Sequence, residues 1–409
     1  MRPDGVLPVD LPDVVREALL APLVDQNCHG VRRDDLNRAR FETLLTETGV
    51  PAPPGTTHFD TPAGAAVRRW CAPVLDLPPH VPPAVYLARR AELGAAEVNR
   101  RLLGAAGIAT FLFDDTEDTE DTGHTGHTGH TDGTGHTGDA KGSGGPGGSG
   151  GRGACEVLPP VEMGHAGGAN AVQVAIVERA EEEVAGSAVS AVGYVSALPQ
   201  NLAARAARAV ALKSVTAHRG LRPDVTRPSR GAVIAAAARR LARPGEGLTD
   251  QVLLRHLLWT AADVAREYGR PLQFLAGHSG PATDFVAAVQ PMGVPVVLLR
   301  CHPFHRGAAH LASTLPHVYI DVGAAPARGV TGSAAVMAEL LESVPFHRQV
   351  FGSGGHGVAE TCHLGALHYR RGLAGALAAR LADGEWSTAD AARVAQMIGS
   401  GNARRLYRL

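Results

Sequence analysis

The stretch Leu23-Val24-Asp25-Gln26-Asn27-Cys28-His29-Gly30 opens on an apolar pair, continues through polar side chains and stops at a glycine. It reads as the end of a β-strand, where residues two positions apart share a face, so Asn27 and His29 project together. Similar short apolar runs recur at 110–113, 209–215, 272–276, 294–299, 318–322 and 349–352, with 22–27 as the first. Between them lie Ala-, Leu- and Arg-rich runs at 83–105, 200–208, 250–268 and 333–342. Most place apolar residues at three- and four-residue spacing, and several are bounded by Gly or Pro, as amphipathic helices are. Strands alternating with helices make a parallel α/β protein. About eight such units predict a single (β/α)8 TIM barrel, with a doubly wound open sheet as the structural alternative. A chain of 409 residues suits a barrel with insertions.

One stretch does not belong to that pattern. Residues 116–153 alternate acids with Thr, pass through Gly-His-Thr repeats holding His124, His127, His130 and His136, and end in Gly and Ser. A segment with nothing to bury cannot offset the entropy of ordering, so the composition predicts a disordered insertion. Residues 1–115 and 154–409 then form one barrel domain around it. Its histidines could hold metal loosely; a solvated linker is the better reading.

A formal net charge of −1 argues against capture of nucleic acid or of an acidic membrane, both of which need a basic field. The five cysteines, Cys28, Cys71, Cys155, Cys301 and Cys362, are scattered and odd in number, which fits neither a disulfide framework nor a zinc knuckle. No run is long and apolar enough for a membrane span, so a cytoplasmic location is the default expectation.

The first-strand segment resembles the His-x-His signature of the amidohydrolase superfamily, and more closely the amidohydrolase-related branch found as the N-terminal half of FluG-type proteins. The resemblance extends to Phe59-Asp60-Thr61-Pro62, Val67-Arg68-Arg69-Trp70-Cys71-Ala72-Pro73 and Tyr86-Leu87-Ala88-Arg89-Arg90. It includes Leu212-Lys213-Ser214, Cys301-His302-Pro303-Phe304-His305-Arg306, Tyr319-Ile320-Asp321-Val322-Gly323, and Glu360 with His363-Leu364-Gly365. The resemblance implies metal ligands from His-x-His after strand one, from Lys after strand four, from His after strands five and six, and from Asp after strand eight. At those places this chain has Asn27 and His29, Lys213, Leu275, Arg300 and Gly354. Asn27 is a poor zinc ligand, Leu275 cannot ligate and Gly354 has no side chain.

Arg300 would oppose a metal outright. A unit-charge pair about 4 Å apart is worth about 4 kcal/mol at an effective dielectric of about 20, and a dication would meet about twice that repulsion. The sequence therefore predicts no metal at the usual site and a free amine at Lys213. Arg300 and Lys213 could instead clamp a substrate carboxylate or phosphate, or form only a salt bridge on a scaffold without chemistry. Lys213 could also act as a proton donor or, less readily, as a Schiff-base nucleophile.

His278, His302 and His356 stand just beyond three of the altered positions, and His218 follows Lys213. Imidazoles from different loops could rebuild a relocated Zn site, supply a catalytic acid or base, or be ordinary loop residues. Asn27 and Glu162 are candidate substrate-binding residues, with Glu162 and His165 placed near the end of strand three. His29, Lys213, His278, His302 and His356 are the candidate catalytic residues. The reading is an amidohydrolase-like hydrolase or lyase acting on a small anionic or amide-containing metabolite. The alternative is a non-catalytic pseudoenzyme that binds a metabolite or supports a partner. Homo-oligomers are possible, and the FluG resemblance suggests a glutamine-synthetase-like partner.

Deleting residues 116–153 should leave the thermal midpoint and any activity unchanged, checked by circular dichroism melting of the full and shortened chains. A large loss in either would show that the segment docks on the barrel.

Overall fold

The computed structural model describes residues 7, 9–46, 49–115, 157–215, 225–243, 245–275, 283–323 and 330–409 (of 330–332 only the backbone). Its strands are β1 (Leu23–Val31), β2 (Ile108–Asp114), β3 (Asn170–Ile176), β4 (Ala211–Ser214) and β5 (Leu272–Leu275). They continue as β6 (Val296–Leu299), β7 (Val318–Asp321), β8 (Gln349–Val350) and β9 (Gly355–Gly357). All pair in parallel, in the order β8-β7-β6-β5-β4-β3-β2-β1-β9.

The two ends of that order are one piece of chain. β8 pairs with β7 while β9, four residues later, pairs with β1. Between them Phe351 O accepts from Gln26 N at 3.1 Å, and Gly354 N donates to Asn27 O at 3.0 Å. The stretch 349–357 thus joins both edges and closes the sheet into a (β/α)8 TIM barrel with no free edge. Helices, chief among them Pro83–Ala106, Ala191–Arg208, Gln251–Tyr268, Val330–Ser343 and Ala359–Ala382, form the outer layer.

Strand alternation divides the core in two. Val24, Leu112, Val174, Ala211, Val297, Leu299 and Val350 fill the barrel, joined by Ala403, Leu406 and Tyr407 of the terminal helix Asn402–Tyr407, which plugs one end. Their neighbours Leu23, Phe111, Leu212, Phe274, Leu298 and Ile320 face the helices instead. Deep in the barrel the Tyr407 hydroxyl donates to Gln26 Oε1 at 2.8 Å and accepts from Gln273 Nε2 at 2.8 Å, so the buried amides are tied to the plug. On the outside, Glu360 accepts from Arg90 Nε at 2.6 Å and from the Tyr86 hydroxyl at 2.7 Å. That buried contact binds the Tyr86–Arg90 segment to the helix after strand eight.

Several expectations are corrected. The apolar run at 209–215 supplies only Ala211–Ser214 to the sheet, and 294–299 only Val296–Leu299. The helix expected at 200–208 begins nine residues earlier, at Ala191, and carries Pro199 in its interior. Its start is set by Ser190, whose side chain accepts from Gly193 N. β3 was not foreseen: its first four residues are exposed or half-buried, so it lacks a continuous apolar run. Glu162 and His165 are not at a strand end; they lie on the helix Pro160–Gly167, which precedes β3. The insertion 116–153 lies outside the described residues.

Replacing Tyr407 by Phe should lower stability by about 1–3 kcal/mol, because two buried amides lose their shared partner. Urea unfolding should show a lower midpoint with an unchanged slope.

Candidate functional site

A register shift in β1 sets up the site. Asp25 pairs with Phe111 and Cys28 with Phe113, so three steps along β1 match two along β2. This bulge reverses the side-chain alternation. Below it Gln26 reaches the barrel amides, while above it Asn27 and His29 also turn inward and Cys28 turns out toward Cys362, with its Sγ at 4.0 Å.

Five side chains from four strands then form a continuous polar chain across the C-terminal end of the barrel, where sites on this fold are built. His29 Nδ1 lies 2.7 Å from Asp114 Oδ2. Lys213 Nζ donates to Asp114 Oδ1 at 2.8 Å, to Asp114 Oδ2 at 3.0 Å and to Asn27 Oδ1 at 3.1 Å. Asn27 Nδ2 donates to Asp321 Oδ2 at 3.4 Å. Gly352 permits this closeness: a Cβ there would stand 2.8 Å from Asp321 Oδ2 and 2.9 Å from the Asn27 Cβ. Below the chain, Asp25 accepts from Ser353 N at 2.8 Å and from the Ser353 hydroxyl.

Charge states follow from burial and neighbours. Burial would raise Asp114, but Lys213 and His29 outweigh it and hold the carboxyl well below the usual range. An ionised Asp114 can only accept, so Nδ1 of His29 carries the proton and Nε2 keeps its lone pair. Burial, then the Lys213 charge, lowers His29, against the pull of Asp114. Nε2 is itself buried and has no hydrogen-bond partner among the described residues, although 22% of the side chain is exposed. Burial raises Asp321 to about 7, with the Gly323 N–H opposing and the Asp25 charge assisting. Asp25 is raised to about 6, again by burial, against its bonds from Ser353.

Sequence reasoning missed Asp114, and it did not single out Asp321 or Asp25 as site residues. The signal for Asp114 was an acidic residue directly after the apolar run 110–113, which adjoins the acidic start of the insertion and was passed over as the end of the barrel segment before it. Arg300 directly follows β6 at φ 52°, a left-handed backbone unusual for a side chain other than Gly, and its charge reaches His29. His302 stacks on His305 with ring centroids 5.0 Å apart, and His305 Nε2 lies 3.1 Å from Glu339. His356 is exposed on β9. Glu162 is paired with Arg33 at 2.7 Å on the surface. Leu275 closes β5, and Gly354 has φ 63° with its N–H on Asn27 O. His278 and His218 lie outside the described residues.

Comparison with known proteins agrees with this architecture. A family model for amidohydrolase matches residues 159–409. The protein fluG of Emericella nidulans is 30% identical over 173 residues, which take in 40% of this chain and 20% of that protein. The chain therefore aligns with about a fifth of its curated relative's length. Among solved structures, a Lactobacillus casei protein described as a metal-dependent hydrolase is similar at a TM-score of 0.73, with 20% identity over 98% of both chains. Uronate isomerase from Thermotoga maritima is similar at a TM-score of 0.64, with 11% identity over 100% of this chain and 99% of that one. The chain belongs to the amidohydrolase family.

The family implies a divalent metal at the strand ends, and the residues here do not fit one. The three protons of the Lys213 ammonium point to both Asp114 oxygens and to Asn27, filling the space between the donors with a cation. Among the described residues no group of three or more His, Cys, Asp or Glu could hold a metal ion. None of the helices described is long and apolar enough to cross a membrane.

The raised carboxyls have a measurable consequence. Folding lifts Asp25 to about 6 and Asp321 to about 7, so their contribution is fully present below about pH 4 and is lost as pH rises through those values. The stability difference between wild type and Asp321→Asn, measured by urea unfolding, should therefore change in the variant's favour as pH rises from about 4 to about 7. An identical profile in the variant would mean that Asp321 is ionised throughout.

Proposed function

We propose that this protein is an amidohydrolase-family enzyme that acts on a small anionic or amide-containing metabolite through His29, oriented by Asp114. The observation that carries the reading is the Asp114–His29 hydrogen bond, which places the proton on Nδ1 and leaves Nε2 as a buried acceptor. A carboxylate that fixes an imidazole's tautomer in this way makes the far nitrogen a proton acceptor. Lys213 balances the Asp114 charge, and burial together with the Lys213 charge favours the neutral imidazole. Asp321, bonded to Asn27 on the other side of the mouth, is the matching proton donor. Arg300 is assigned the substrate's negative group, because a guanidinium binds carboxylate or phosphate through two bonds.

This arrangement offers a base and an acid, and hydrolysis and lyase chemistry both draw on such a pair. A second reading is favoured by one feature: every proton of Lys213 is already taken by protein acceptors. A pseudoenzyme that binds a metabolite at the mouth would show the same saturation.

Turnover should be sought by NMR with a panel of small carboxylates, amides and lactones. Any activity found should fall by about 10²–10⁴ in His29→Ala, with the fold unchanged by circular dichroism. Arg300→Met should raise KM for anionic substrates with little effect on the thermal midpoint. Full activity in His29→Ala would remove the proposed role. Ligand-dependent stabilisation without turnover of any compound would select the binding protein instead.

A further inference from the structure

We propose that the Lys213 ammonium is a built-in replacement for the family's divalent cation: an unmodified amine, neutralised by Asp114, that keeps metal out of the site at the ends of β1, β2 and β4. The inference shares its site with the proposed function but not its chemistry. A metal-free protein with no activity would uphold it, and an active enzyme holding zinc at His29 would overturn it.

Three observations support it. First, Lys213 is wholly buried, its side chain 0% exposed, so its charge must be answered inside the protein. Asp114, only 7% exposed, answers it with both oxygens at 2.8 and 3.0 Å. Second, the acceptors leave no room for a modified amine. A lysine carboxylated for metal bridging would be an anion and would set a carboxylate against the carboxylate of Asp114 at hydrogen-bond distance. Two such charges in a buried space repel strongly unless a metal stands between them. Third, the ammonium stands where a metal would have to bind. Nζ is bonded to Asn27, at one family ligand position, and shares Asp114 with His29, at another.

The pair should therefore behave as a cation site already filled, which vacates when Lys213 is removed. In Lys213→Met the apolar side chain leaves Asp114 without its ammonium, beside Nδ1 of His29 and with Asn27 Oδ1 open, so a metal that displaces the Nδ1 proton can stand between the imidazole and the carboxylate. Such a set of nitrogen and oxygen donors suits zinc.

The test uses the full chain purified from zinc-supplemented medium, with zinc alone as the probe. Wild-type protein should carry no metal that depends on His29, so elemental analysis of wild type and His29→Ala should agree. In ¹³C-labelled bicarbonate, NMR should show no carbamate carbon. Added Zn²⁺ should leave the wild-type thermal midpoint in place and raise that of Lys213→Met by about 2 °C or more at saturating ion. Adding Asp114→Asn to Lys213→Met should abolish that rise. Stoichiometric zinc lost in His29→Ala, a carbamate signal from wild type, or a folded Lys213→Met that zinc does not stabilise would each overturn the proposal. If Lys213→Met does not fold, the wild-type metal count and the carbamate spectrum decide alone.

Discussion

A positive charge with no access to water governs the upper half of this barrel. Isolating a lysine ammonium from solvent costs several kcal/mol even after relaxation, and the cost is recovered only through a close anion and satisfied protons. Asp114 supplies the anion and Asn27 the last acceptor. Everything around them follows from holding those atoms still. β2 must end on Asp114, β4 must present Lys213 inward, and β1 must deliver both Asn27 and His29 to the same level. The close passage of Gly352 beside Asn27 and Asp321 completes the enclosure. Removing either charge of the pair would leave the other stranded, which is why the two belong in one account rather than as separate candidate residues.

The fold was largely legible from the chain because barrel strands are buried on both faces and read as apolar runs. β6, with Val296 to Leu299 all buried, is the plainest case. β3 escaped notice for the opposite reason, since Asn170 and Gln173 are exposed and interrupt the run. The site was legible only in part. Asn27, His29 and Lys213 were chosen through resemblance, and the structure brings them together. What resemblance could not supply was the anion between them, because Asp114 sits at the junction with a low-complexity segment whose acids mask it. Glu162 was misplaced for another reason: it was read near the end of strand three, but a two-proline start makes its segment a helix that precedes β3.

The sequence reading also posed a charge problem that the structure answers for one of its two cations. Arg300 and Lys213 together seemed to require an anion from outside. Lys213 has its anion within the protein, in Asp114, so it is not free to share an external one. The left-handed backbone at Arg300 is consistent with special duty, since a side chain other than Gly is held there at a cost of about 1–3 kcal/mol. Its backbone N–H is also turned toward Asp321, linking the end of β6 to the end of β7.

The bulge in β1 separates two tiers within one strand. Below it, Val24 and Gln26 belong to the barrel's interior and to the terminal helix that plugs it, where packing tolerates little change. Above it, Asn27 and His29 belong to the polar chain that runs through Lys213, Asp114 and Asp321. The polar tier is thereby set on its own register, apart from the tier that keeps the barrel folded. One extra residue in a strand acts as an insulating joint between the packing that folds the barrel and the charges that line its mouth.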